Sequence, residues 1–144
     1  TACWIELQYN GIEVSTFYRG PDPDIKVPTF YGLFYADGKP KRSALAFSLW
    51  SKMASYPQQL RINAPSNPFI YMLAGKNDIG NVAFLVANTG DKPARAGIGF
   101  AEQRRINKIT LYQVNDSSDK LQAGALNSPL FELGAYSVCL VTFE

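Results

Sequence analysis

Apolar positions in the first ten residues, TACWIELQYN, recur at helical spacing: Ala2, Ile5 and Tyr9 share a face, with Trp4 and Gln8 alongside. Asn10-Gly11 ends the pattern, since glycine is the favoured residue just past a helix C-terminus. The period then changes. IEVSTFY, residues 12–18, is rich in β-branched and aromatic side chains and predicts a short strand, apolar on both faces. Residues 20–42 form a loop that Pro21, Pro23 and Pro28 keep out of any ladder, with a tight-turn signal at Asp37-Gly38. Loops of this length in compact domains tend to carry function. A second helix is predicted from about Lys41 to Ser55, with Pro40 suited to its first turn and Pro57 ending it. At 100° per residue, Leu45, Ala46, Phe47, Leu49, Trp50, Met53 and Ala54 fill an arc of roughly 200°, wide enough to imply burial against two bodies.

Beyond Pro57 the pattern shifts to a polar, proline-punctuated connection, QQLRINAPSNP, and then to short apolar runs. Strands are predicted at 69–74, 81–88, 94–101, 108–115, 121–126 and 136–143, separated by turn signals such as Thr89-Gly90-Asp91 and Leu133-Gly134. Such spacing suggests an antiparallel β-sandwich. The first half, by contrast, reads as a piece of α/β alternation, in which a parallel strand needs neighbours on both sides. No internal repeat or low-complexity segment is present.

Composition narrows the chemistry. With 144 residues, 47% of them apolar and 18% charged, the chain is expected to be globular. A net charge of +2 with scattered basic residues argues against nucleic acid, and no apolar run is long enough for a membrane-spanning helix. The absence of histidine excludes Ser-His and Cys-His nucleophiles within this chain and the commonest transition-metal ligand. Cys3 and Cys139 make neither a disulfide framework nor a zinc site, and read as small buried residues. No cofactor and no metal is expected. The chain starts inside a helix pattern, without Met, as a processed or excised piece would.

The order of elements resembles the C-terminal end of a clan A glycoside hydrolase, most closely the family 39 type. The likeness is carried by IELQYNGIEVSTFY, by YGLFYADGKPKRSALAFSLWSKM, by NVAFLVANTGD and by LFELGAYSVCLVTFE. These are framework patterns that span most of the chain. They imply an α+β fragment: a C-terminal βα unit of a TIM barrel followed by an antiparallel β-sandwich. Residues 1–60 would hold the end of barrel helix 7, barrel strand 8, a rim loop and barrel helix 8; residues 61–144 would be the sandwich. The implied parent is a retaining enzyme acting on O-glycosidic bonds, secreted or periplasmic, although the compartment itself is not fixed by these residues. Such chemistry needs two carboxylates about 5 Å apart. In the family these lie on barrel strands 4 and 7, upstream of everything here, so no catalytic residue is assigned. The expected partners are a carbohydrate substrate and the remainder of the barrel. The alternative is a stand-alone, non-catalytic carbohydrate-binding or interaction module.

On the barrel placement, Tyr18 and Arg19 end the strand at the face where such sites lie, and become candidate substrate-binding residues, as do Tyr31 and Phe34 in the loop. Phe30 and Tyr35 complete that aromatic cluster, which serves equally well as rim packing. Asp22 and Asp24 have the spacing of calcium ligands or an acid/base pair, but beside proline they read first as turn-forming aspartates. Glu13, at the start of the strand, reads as a stability residue, and Trp4 and Trp50 as core. Tyr71, Phe100 and Tyr112 offer a second candidate sugar-binding face on the strands.

Overall fold

The computed structural model describes residues 1–12, 14–16, 20–22, 32–63, 65–103, 105–115 and 120–144. Among the described residues two helices, α1 (Ala2–Tyr9) and α2 (Arg42–Met53), precede eight strands. These are β1 (Gln58–Leu60), β2 (Ile70–Lys76), β3 (Val82–Asn88), β4 (Ala94–Gly97), β5 (Ile109–Val114), β6 (Gln122–Leu126), β7 (Leu130–Leu133) and β8 (Val138–Phe143). The fold is α+β, mostly antiparallel sheet with two helices. Six strands form one sheet in the order β1-β2-β3-β8-β5-β6, and β4 pairs with β7 in a small second sheet.

The central strands explain the apolar runs of the sequence. β3 is flanked by β2 and β8, so all seven of its residues are buried and both faces are apolar. Its side chains alternate. Val82, Phe84 and Val86 meet Ile98, Phe131 and Leu133 on the small-sheet side, where Cys139, Val141 and Phe143 of β8 join them. Ala83, Leu85 and Ala87 face the helices together with Val138 and Leu140. Phe84, Phe100 and Phe143 interlock edge-to-face, with ring centroids 5.1–6.0 Å apart. Beside β4 and β7, the small-sheet side of the large sheet carries a groove of about 700 Å³ lined by Ile62, Ile70, Met72 and Phe100 together with Arg61 and Arg95.

Helix α1 ends at Tyr9 as Asn10-Gly11 predicts. Gly11 takes φ +70°, and the amides of Gly11 and Ile12 return to the carbonyls of Gln8 and Leu7. Ile5 inserts into the helix-side core and Tyr9 donates its hydroxyl to the Met72 carbonyl at 2.9 Å. On α2, Leu49 and Met53 are buried against the sheet, while Phe47 and Trp50 turn to Trp4 of α1, with centroids 4.2 and 5.7 Å apart. The wide apolar arc is thus divided between the sheet and the neighbouring helix.

Of the strand expected over residues 12–18, positions 12 and 14–16 are described. They are exposed, Val14 at 78%, and lie in no ladder. A parallel strand needs partners on either side, and no described segment of the chain offers them here. Among the described residues, no helix is long and apolar enough to cross a membrane.

Candidate functional site

The described part of the loop ahead of α2 is built around the Asp22–Lys41 ion pair. Residues 20–22 run beside 33–34: the Leu33 and Phe34 amides donate to the Gly20 carbonyl, and the Asp22 amide donates to that of Phe34. Phe34 bridges Pro21 on one side and Pro40 on the other. The Lys41 amide closes on the Leu33 carbonyl, and a tight turn at 35–39 lets the Gly38 and Tyr35 amides reach the Tyr35 and Lys39 carbonyls. Beneath this fold-back, Lys41 Nζ lies 2.6 Å from Asp22 Oδ2, with the Asp22 side chain 1% exposed. Gly32 is required there, because a Cβ would collide with the Asp22 carboxylate and amide.

What the pair supports is an aromatic ledge. Phe34 and Tyr35 remain exposed, at 37% and 46%, and Lys41 Nζ sits 5.2 Å from the Tyr35 ring centroid. At the tip, Lys39 binds Asp37 through Nζ at 2.9 Å and through its amide at 3.0 Å. The Lys39 side-chain hydrogen bond, aided by the amide, holds the Asp37 carboxyl below the usual range. Exposed rings beside a cation can stack on the C–H face of a sugar and hydrogen-bond its hydroxyls.

Of the four candidate substrate-binding residues, Phe34 lies on this ledge, whereas Tyr18, Arg19 and Tyr31 lie outside the described residues, as do Glu13, Asp24 and Phe30. Asp22 is engaged with Lys41, a partner 19 positions away that no motif announces. Among the described residues no group of three or more His, Cys, Asp or Glu is placed to hold a metal ion. The second candidate face is corrected by the pleat: Tyr71 and Tyr112 pack on the helix side of the sheet and Phe100 on the other, so the three share no surface. Trp4 and Trp50 are half-buried against each other, and the Trp50 indole N–H is buried with no acceptor among the described residues. Trp4, Leu7, Ile12, Phe47 and Trp50 line a concavity of about 280 Å³ on the helix pair.

No family model matches the chain, and no curated protein matches it. Solved structures do. A GH30 endoxylanase from Clostridium papyrosolvens C71 superposes with a TM-score of 0.64 at 19% identity, over 82% of this chain and 31% of that one. The catalytic domain of GH30 xylanase C from Talaromyces cellulolyticus gives 0.62 at 16% identity, over 99% and 34%. A wild-type GH86 protein in complex with neoagarooctaose gives 0.51 at 19%, over 60% and 15%. The fold is therefore one found within glycoside hydrolases, and the chain spans about a third or less of the length of these structures.

Proposed function

We propose that this chain is the C-terminal part of a retaining glycoside hydrolase of the family 39 type or a neighbouring clan A family. Residues 1–60 complete a (β/α)8 barrel and residues 61–144 form its accessory β-sandwich. The chain carries neither catalytic glutamate. Its work is to close the barrel with residues 12–18, to seat helix α2 between barrel and sheet, and to supply Tyr18, Arg19, Tyr31 and Phe34 to the rim where a carbohydrate substrate binds.

The observation that carries this reading is the unfinished first half. Ile12 and Val14 stand exposed with no strand beside them among the described residues, and the apolar concavity around Trp4, Phe47 and Trp50 lies open on the side of the helices away from the sheet. A further apolar body fits both. The likeness to glycoside hydrolases, at a third of their length, supports the same conclusion. A stand-alone binding module would instead pair residues 12–16 within the chain.

The test is turnover of 4-nitrophenyl glycosides. The 144-residue chain should be inactive, and the polypeptide encoded by the full gene should be active and lose activity on replacement of either of two upstream glutamates. Turnover by the short chain, abolished by changing one of its own carboxylates, would overturn the reading.

A further inference from the structure

We propose that the groove beside β4 seats an extended segment of the same polypeptide from outside residues 1–144, which joins the small sheet as a third strand. The segment carries apolar residues at alternate positions and a carboxylate between them. The proposal rests on the parent-enzyme reading above and adds to it a second seam, on the sheet rather than on the helices.

The register of β4 leaves one of its edges unused. Ala94 to Gly97 pair with Leu133 to Leu130, and the Ile98 amide donates to the Pro129 carbonyl. Hydrogen-bonded pairs alternate along an antiparallel ladder. Ala96 and Ile98 therefore turn their backbone groups towards β7, while Arg95 and Gly97 turn theirs away from it. Among the described residues β4 has no other strand beside it, and the amides and carbonyls of Arg95 and Gly97 have no partner on that side.

This edge faces the groove. Arg95, Ala96, Gly97, Ile98 and Gly99 line it in unbroken succession, and no residue of β7 does. The face of a strand shows every second residue, so consecutive residues mark its edge. The floor is the small-sheet side of the large sheet, with Ile70 and Met72 of β2 beside Phe84 of β3. Ile70 and Met72 are only half-buried, although Ala74, their neighbour on the same face, is fully buried.

These features decide the occupant. Free backbone donors and acceptors at strand spacing are matched by another extended backbone. Every second side chain of that strand would point down and cover the half-wet floor. The side chains between would point outward, beside Arg95. Arg61 and Arg95 are the charged residues lining the groove, and no carboxylate lines it among the described residues, so an acidic residue at an outward position complements it. Two strands alone make a marginal sheet, which a permanent third strand completes better than a passing partner. The source follows from length: the chain covers 31% and 34% of two glycoside hydrolases that share its fold, so most of such a parent lies outside residues 1–144.

The experiment is hydrogen exchange, resolved to single amides by mass spectrometry, on the polypeptide encoded by the full gene. The Arg95 and Gly97 amides should exchange at least about a hundredfold more slowly than unstructured amides, at every protein concentration. Photo-crosslinking from Asn63→p-benzoylphenylalanine, an exposed position in the groove wall, should reach a segment of the same chain outside residues 1–144. Arg61→Glu should speed exchange at Gly97 at least about tenfold, because it repels the carboxylate. Rapid exchange at Arg95 and Gly97 beside a protected Ala96 would overturn the seat. Protection lost on dilution, or a crosslink to a second copy or another protein, would overturn its source, and unchanged exchange in Arg61→Glu its acidic character. Glycoside turnover in the same preparation keeps the readings apart: turnover with unprotected amides defeats this seat alone, and absence of both turnover and protection defeats the parent reading as well.

Discussion

Lys41 and Asp22 show how much one residue pair can decide. The pair is almost dry, and removing one partner of a buried ion pair leaves an uncompensated charge. Lys41→Met should therefore destabilise the chain by about 3 kcal/mol or more, read from urea midpoints, while Lys41→Met with Asp22→Leu should recover much of the loss. Asn88→Ala is expected to cost about 2 kcal/mol by the same measure, since it strands the Lys92 and Gly134 carbonyls and the Gly90 amide. In the sequence Asp22 stood out only beside Asp24, and its pairing with Lys41 did not. Asp22 reads as a turn former because aspartate beside proline so often is one, and Lys41 reads as the polar start of a helix. The aromatic density of YGLFY, high for a loop, marked this segment in the sequence, but the Asp22–Lys41 pair beneath it was not legible, since ion pairing between distant positions leaves no periodicity.

At the scale of elements, periodicity served well where strands or helices are long and have a buried face. Both helices and the six strands predicted beyond Pro57 lie within a few residues of the observed ones, and the strand predicted over 94–101 ends early because the residue opposite Ile98 is Pro129, whose carbonyl accepts the Ile98 amide but which has no N–H to return. β1 and β7 were missed for different reasons. β1 is three residues, two of them exposed glutamine, and is held by its pairing with β2, which no local pattern encodes. β7 alternates cleanly, Phe131 and Leu133 inward, but is only four residues long and sits between turn formers. Helix α1 is tied to β2 by Tyr9, whose hydroxyl burial, with the nearby Glu6 charge adding to it, raises its pKa above the usual value. The raised value means that the folded state favours the neutral phenol. This stabilisation is complete below about pH 10 and is lost as the pH rises through the folded pKa. Denaturation midpoints at pH 8 and pH 11 should differ more for the native sequence than for Tyr9→Phe, and that variant should cost about 1 kcal/mol at pH 8.

For the molecule as a whole, the large sheet buries a core on each face, whereas the described residues of the first half leave apolar surface open at Ile12, Val14 and the α1–α2 concavity. That asymmetry is why the fold class was readable and the activity was not: framework patterns repeat across many enzymes, and one fold hosts many activities. An isolated 144-residue chain should bind a hydrophobic dye at the α1–α2 concavity and self-associate with rising concentration, as sedimentation would record. The two cysteines divide along the same line. Cys3 is exposed on α1, while Cys139 is sealed within β8, where burial pushes its thiol far above the ordinary range and leaves it inert. The molecule therefore contains a built-in clock. A maleimide should label Cys3 at once, and the second label should arrive only at the rate at which the central strands come apart, so the lag between them measures how often the sheet opens under native conditions.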